Sequence, residues 1–110
     1  QEVDGEITEL LGALRIVTAA GDVTVSATEG GVALNKTVGA ATNVQLPLAS
    51  ARGGLDVIVK DMKGDANTNN ITVLPDAGDA LAIDGNAQDI LNVNKASRRY
   101  RPIAGGWLRV

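Results

Sequence analysis

The densest set of oxygen ligands in the chain lies in residues 61–70, DMKGDANTNN, where Asp61, Asp65, Asn67 and Asn69 surround Gly64. Calcium takes six to eight such oxygens, and an EF-hand loop needs an oxygen at its third position and a bidentate Glu at its twelfth. Lys63 and Thr72 stand at those positions. Asp and Asn also bond readily to neighbouring backbone and tolerate left-handed geometry, so this stretch is expected to be a structural turn, with no metal and no cofactor. The paired carboxylates Asp76/Asp79 and Asp84/Asp89 would suit acid–base work only in a pocket that raises one pKa. They fall among turn residues and are expected to be exposed. Cys and His are absent, which removes thiolate nucleophiles, histidine bases, disulfides and ordinary structural zinc. Ser26, Ser50 and Ser97 carry no activating signature. The pairs Gly30-Gly31, Gly53-Gly54 and Gly105-Gly106 precede no Lys-Ser/Thr and open no helix, so no phosphate cradle is indicated. No enzymatic activity is expected.

Charge is the second source of candidates. All 13 acids lie in residues 1–94, beside five bases, whereas Lys95, Arg98, Arg99, Arg101 and Arg109 stand in an acid-free stretch. That basic end can pair with acids of its own chain or of a neighbouring subunit, grip an acidic protein, or meet nucleic acid. The last is disfavoured, because Tyr100 is the single aromatic among the arginines and stacking platforms use more. Tyr100 and Trp107 are the chain's two aromatics. Each could fill a core, a subunit seam or, for Trp107, a ligand-stacking surface.

The elements that must position these residues are short. The 110 residues are 45% apolar but 2% aromatic, and a chain of this length hides only about two thirds of its unfolded surface. A thin aliphatic core of this kind favours further burial by oligomerisation. No 18-residue apolar run could span a membrane, and no cationic stretch followed by an apolar one opens the chain. Gln1 in place of Met suggests a processed or trimmed start. Residues 1–13 read as an N-terminal arm or linker, with Ile7, Leu10 and Leu11 at i, i+3, i+4, a stripe too short to hold itself in water. From Leu14 the pattern becomes period-two alternation broken by Gly, Asp and Asn. It gives nine or ten short strands, among them Val23–Ala27, Val44–Leu48 with Pro47 marking an edge or bulge, Leu55–Val59, Ile71–Val73 and Leu81–Ile83. The expected fold is all-β over residues 14–110: a compact sandwich or barrel-like domain of short strands, or a β-helix-like stack. A long solenoid is disfavoured by the lack of exact repeats.

Residues 32–110 resemble a β-rich module of tailed-bacteriophage virion proteins: head decoration (cement), head-fibre and tail-fibre proteins. The residues that carry the resemblance are Asn35-Lys36-Thr37-Val38-Gly39-Ala40-Ala41-Thr42, Val44, Leu46-Pro47, Val59-Lys60-Asp61, Lys63-Gly64-Asp65-Ala66, Asn69-Asn70-Ile71-Thr72-Val73, Ile83-Asp84-Gly85 and Gly106-Trp107-Leu108-Arg109-Val110. The chain departs from that pattern at Arg98-Arg99-Tyr100-Arg101, where a more neutral strand is usual. The resemblance implies a non-enzymatic homotrimer on the surface of a phage particle, bound to a major capsid protein or to a fibre or tail protein. It implies no catalytic residues. Ile7, Leu10, Leu11, Arg98, Arg99, Tyr100, Arg101 and Trp107 are the candidate partner interface. The alternatives are a fibre domain, a receptor- or glycan-binding module and, more remotely, a fragment of a polysaccharide-cleaving tailspike.

Overall fold

A computed structural model describes residues 13–110. The expected arm, with Ile7, Leu10 and Leu11, lies outside the described residues. The rest is strand-rich, with nine strands: β1 Leu14–Val17, β2 Val23–Thr24, β3 Gly31–Leu34, β4 Thr42–Gln45, β5 Val57–Asp61, β6 Ile71–Leu74, β7 Asp89–Leu91, β8 Ser97–Ile103 and β9 Gly106–Arg109. The described helical structure is one 3-10 turn, Ala49–Arg52.

The chain alternates between two sheets. One has the order β1-β3-β5-β8-β9 and the other β2-β4-β6-β7. Pairing is parallel along β1, β3 and β5 and along β2, β4 and β6, then antiparallel for β5–β8, β8–β9 and β6–β7. The first six strands therefore stack coil on coil, and the last three fold back over the end of the stack. Neither sheet closes into a barrel. Leu14 lies beside Gly31 and Gly31 beside Ile58, steps of 17 and 27 residues. In the other sheet Val23 lies beside Val44 and Val44 beside Val73, steps of 21 and 29. The coils share a register but not a length, which is why no fixed period shows in the sequence.

Period-two alternation sorts the side chains. Val57 and Val59 point inward from β5 while Ile58 and Lys60 are partly exposed. Val32 and Leu34 from β3, Val44 from β4, Ile71 and Val73 from β6, Leu91, Tyr100 and Trp107 join one apolar cluster fed by both sheets. Two expectations are corrected here. The strand before Pro47 is interior, between β2 and β6, and it stops at Gln45, so the proline sits just beyond the ladder. Leu81–Ile83 is not a strand: Ile83 makes two isolated bridges, to Asn86 and Trp107, around a turn with positive φ at Asp84 and Gly85. Two successive positive φ values are the geometry an Asp-Gly pair supplies.

Gly31 shows how tightly the coils approach. Its φ is +144°, and a Cβ there would lie 1.9 Å from the Ile58 carbonyl oxygen. Gly21 also has positive φ, but a Cβ there would meet nothing within 4 Å. Gly31→Ala is expected to cost about 3 kcal/mol or more, against about 1 kcal/mol for Gly21→Ala. Urea unfolding of the two variants checks the contrast.

Candidate functional site

The most chemically loaded features of the described chain are its buried ionisable side chains: Lys36, Arg52, Asp61, Asp79 and Asp89. Each is held by backbone groups or by a polar tip of the core. Arg52, 2% exposed, closes the 3-10 turn. Its guanidinium donates to the carbonyls of Leu55 at 3.1 Å, Ala27 at 2.8 Å and Asp56 at 2.6 Å, and to that of Glu29. One planar fork thereby ties the corner before β3 to the corner before β5, a geometry lysine cannot supply. Lys36 donates across the stack to the Gly21 carbonyl.

Asp61 ends β5 with its side chain turned inward. Oδ1 accepts the Gly64 N–H at 3.0 Å, and Oδ2 accepts those of Ala66 and Lys95, both at 2.9 Å. Asp65 accepts the side-chain amide of Asn69 at 2.8 Å. The 61–70 loop is thus a turn organised by its own carboxylates and amides, as its residue types lead one to expect. Among the described residues no group of three or more acids could hold a metal ion.

Asp79 and Asp89 correct the expectation that both carboxylate pairs are exposed. Asp79 is buried, and its Oδ2 accepts the Ala49 N–H at 2.9 Å and the Trp107 indole Nε1–H at 3.2 Å. Asp89 opens β7, where alternation turns it inward with Leu91. Its Oδ2 accepts the Tyr100 hydroxyl at 2.7 Å and Arg98 Nη1 at 3.0 Å, while Oδ1 accepts Arg109 Nη1 at 3.2 Å. Asp76 bonds the Gly78 N–H in an exposed turn. Arg109 also binds Asp84 at 2.7 Å, so a guanidinium stands between Asp84 and Asp89. The sequence carried half of this signal, a lone indole and a lone phenol each in need of a polar partner once buried, but not which acids would supply it.

Tyr100 and Trp107 have no exposed surface. Both are core residues whose polar tips are satisfied inside the chain, so neither offers area to a partner, contrary to their inclusion in the candidate interface. Arg99 and Arg101 point outward from β8 and share Asp56, Arg101 through two bonds of 3.1 Å and Arg99 at 3.9 Å. Arg98 turns inward to Asp89. The four arginines of the basic end thus each meet an acid of their own chain. Exposed pairs of this kind contribute little stability, about 0–1 kcal/mol each, and the two outward arginines share a single carboxylate.

Protonation follows these contacts. Burial pushes the Asp61 carboxyl up, but the N–H groups of Lys95, Ala66, Gly64 and Asp65 outweigh it and hold it below the ordinary carboxylate range. The Arg15 guanidinium lowers Glu29, and the Arg109 guanidinium lowers Asp84. Burial, then the bond to Asp89, pushes the Tyr100 hydroxyl far above its usual value. Compared with protein-family models and with curated proteins, the chain matches none.

Two outcomes are expected. Asp61, Glu29 and Asp84 bind protons less readily folded than unfolded. Their stabilisation is complete above the unfolded carboxylate range, about pH 4, and is lost as pH falls through the lower folded values. Acid titration followed by circular dichroism should show a flat plateau above about pH 5 and steep loss below about pH 4. Asp61→Asn replaces an acceptor of two N–H groups with a donor and should cost about 2–4 kcal/mol in urea unfolding, with that variant's acid transition shallower than the parent's.

Proposed function

We propose that the chain is a non-enzymatic structural protein of a tailed-phage particle, a homotrimeric head decoration (cement) protein at the virion surface. The observation that carries this reading is where the residues of the resemblance lie. Lys36 and Asp61 are buried ties between loops. A Cβ at Gly39 would lie 2.6 Å from Asp65 Oδ2 and 2.8 Å from Asn69 Nδ2. Gly64 has positive φ, Asp84-Gly85 forms a turn, and Trp107 seals the core. The shared motif is therefore a set of architectural points, and its acids are committed to structural bonds. That is what a module selected for rigidity needs.

We take the two sheets as a two-layer sandwich wound as a short coil stack. Sites repeated on a symmetric shell let a small trimer bind by avidity from weak single contacts. The arm with Ile7, Leu10 and Leu11 and the outward Arg99 and Arg101 remain the partner-facing candidates. The same observations fit a head-fibre or tail-fibre domain. A receptor- or glycan-binding module is favoured less, because Trp107 is sealed inside the chain.

Light scattering behind size exclusion should give the mass of three chains, unchanged at high salt. A single-chain mass at every concentration contradicts the trimer. Trp107 emission should be blue-shifted and resist acrylamide, and sugars should leave it unchanged. Ready quenching would support the glycan reading instead.

A further inference from the structure

The segment 81–85 caps the outer edge of β9, the last strand of the five-stranded sheet. Trp107 donates its N–H to the Ala82 carbonyl at 2.8 Å, and Asp84 donates its own to the Trp107 carbonyl at 2.9 Å. The cap is strained. Ala82 and Asp84 have φ of +57° and +50°, a region that residues with a side chain enter seldom and at a cost. Arg109 of β9 adds the tie that holds Asp84 there. Asp84 Oδ2 accepts the Arg109 Nε–H at 2.7 Å, and Oδ1 accepts the Arg109 backbone N–H at 3.3 Å.

Asp84 also precedes a glycine, and theirs is the one Asp-Gly pair among the described residues. A carboxyl beside an unhindered amide can close on it. The Gly85 nitrogen bonds to Asp84 Cγ, and the hydroxyl of the acid leaves as water with the amide proton, giving a five-membered imide. Water then adds at the main-chain carbonyl of Asp84 and breaks its bond to the Gly85 nitrogen. The backbone now runs through Cγ, as an isoaspartate of unchanged mass. Ring closure needs a neutral acid, freedom to turn towards its own backbone, and open space. Gly85 supplies the space: a Cβ there would meet nothing within 4 Å. Arg109 withholds the other two. Its guanidinium holds the Asp84 carboxyl below the ordinary carboxylate range, and its two bonds direct both oxygens at β9.

We propose that Asp84-Gly85 is a latent isoaspartate site that Arg109 keeps closed. Opening of the β9 end frees Asp84 to isomerise. The extra backbone carbon then prevents the cap from re-forming in its original register, so the change is a one-way mark of that opening. This inference does not depend on the virion reading.

The test ages the full chain at neutral pH and digests it with trypsin. Asp84 falls in the fragment 64–95, between Lys63 and the cut after Lys95, where electron-transfer fragmentation separates isoaspartate from aspartate. Isoaspartate at position 84 should accumulate about threefold faster or more in Arg109→Gln than in the parent, and faster still in the parent unfolded in urea. Arg15→Gln, which loses the exposed pair with Glu29 on β1 at the opposite edge of the sheet, should match the parent. If circular dichroism shows Arg109→Gln to be unfolded, Arg109→Lys takes its place, with a smaller acceleration. Equal rates in the parent and the Arg109 variant would overturn the proposal. So would a folded parent that isomerises as fast as in urea, or an equal acceleration by Arg15→Gln.

Discussion

The structure depends on how the corners of the stacked coils are tied. Where the chain leaves one sheet for the other, backbone N–H and C=O groups lose their ladder partners, and a buried group without a partner costs about 1–3 kcal/mol. This core is almost wholly aliphatic and small, so it has little surplus to absorb such costs. The corners are instead closed by buried side chains with several bonding positions each: Arg52 on five carbonyls, Asp61 on three N–H groups, Asp79 on a backbone N–H and the indole. Among the described residues no buried side-chain polar atom is left without a partner. Burying these charges is costly in itself, and multiple short bonds offset the cost.

The same ties explain the two ends of the described stack. At the far end β7, β8 and β9 turn antiparallel, and the Asp89 carboxylate gathers Tyr100, Arg98 and Arg109 from two of those strands. The chain's only phenol and indole both end on carboxylates there. The aromatic pair with Arg98 and Arg109, which look like binding equipment in isolation, are parts of one closing device. At the near end β1 pairs on one side among the described residues.

Much of the strand pattern was legible from period-two alternation. The inward sets Val23/Val25, Val44/Leu46 and Val57/Val59 stand where alternation puts them, and the Asp84-Gly85 turn follows from residue type alone. The alternation of strands between sheets was harder to see, since steps of 17, 27, 21 and 29 residues leave no period to detect. Leu81–Ile83 looked like a strand because its apolar spacing is right, but it packs as a loop against Gly106. The buried acids were misjudged for a related reason. Asp79 and Asp89 sit among turn formers, and local sequence cannot show that an indole 28 residues away and a phenol 11 residues away need their oxygens.

The most direct test of the corner ties is amide hydrogen exchange at Gly64, Ala66 and Lys95, the three loop amides on Asp61. If the carboxylate closes this corner, their protection approaches that of Val59 and Val73 in the neighbouring strands, and all three fall together in Asp61→Asn. Exchange at the rate of an open loop, with β5 and β6 still protected, would contradict the account.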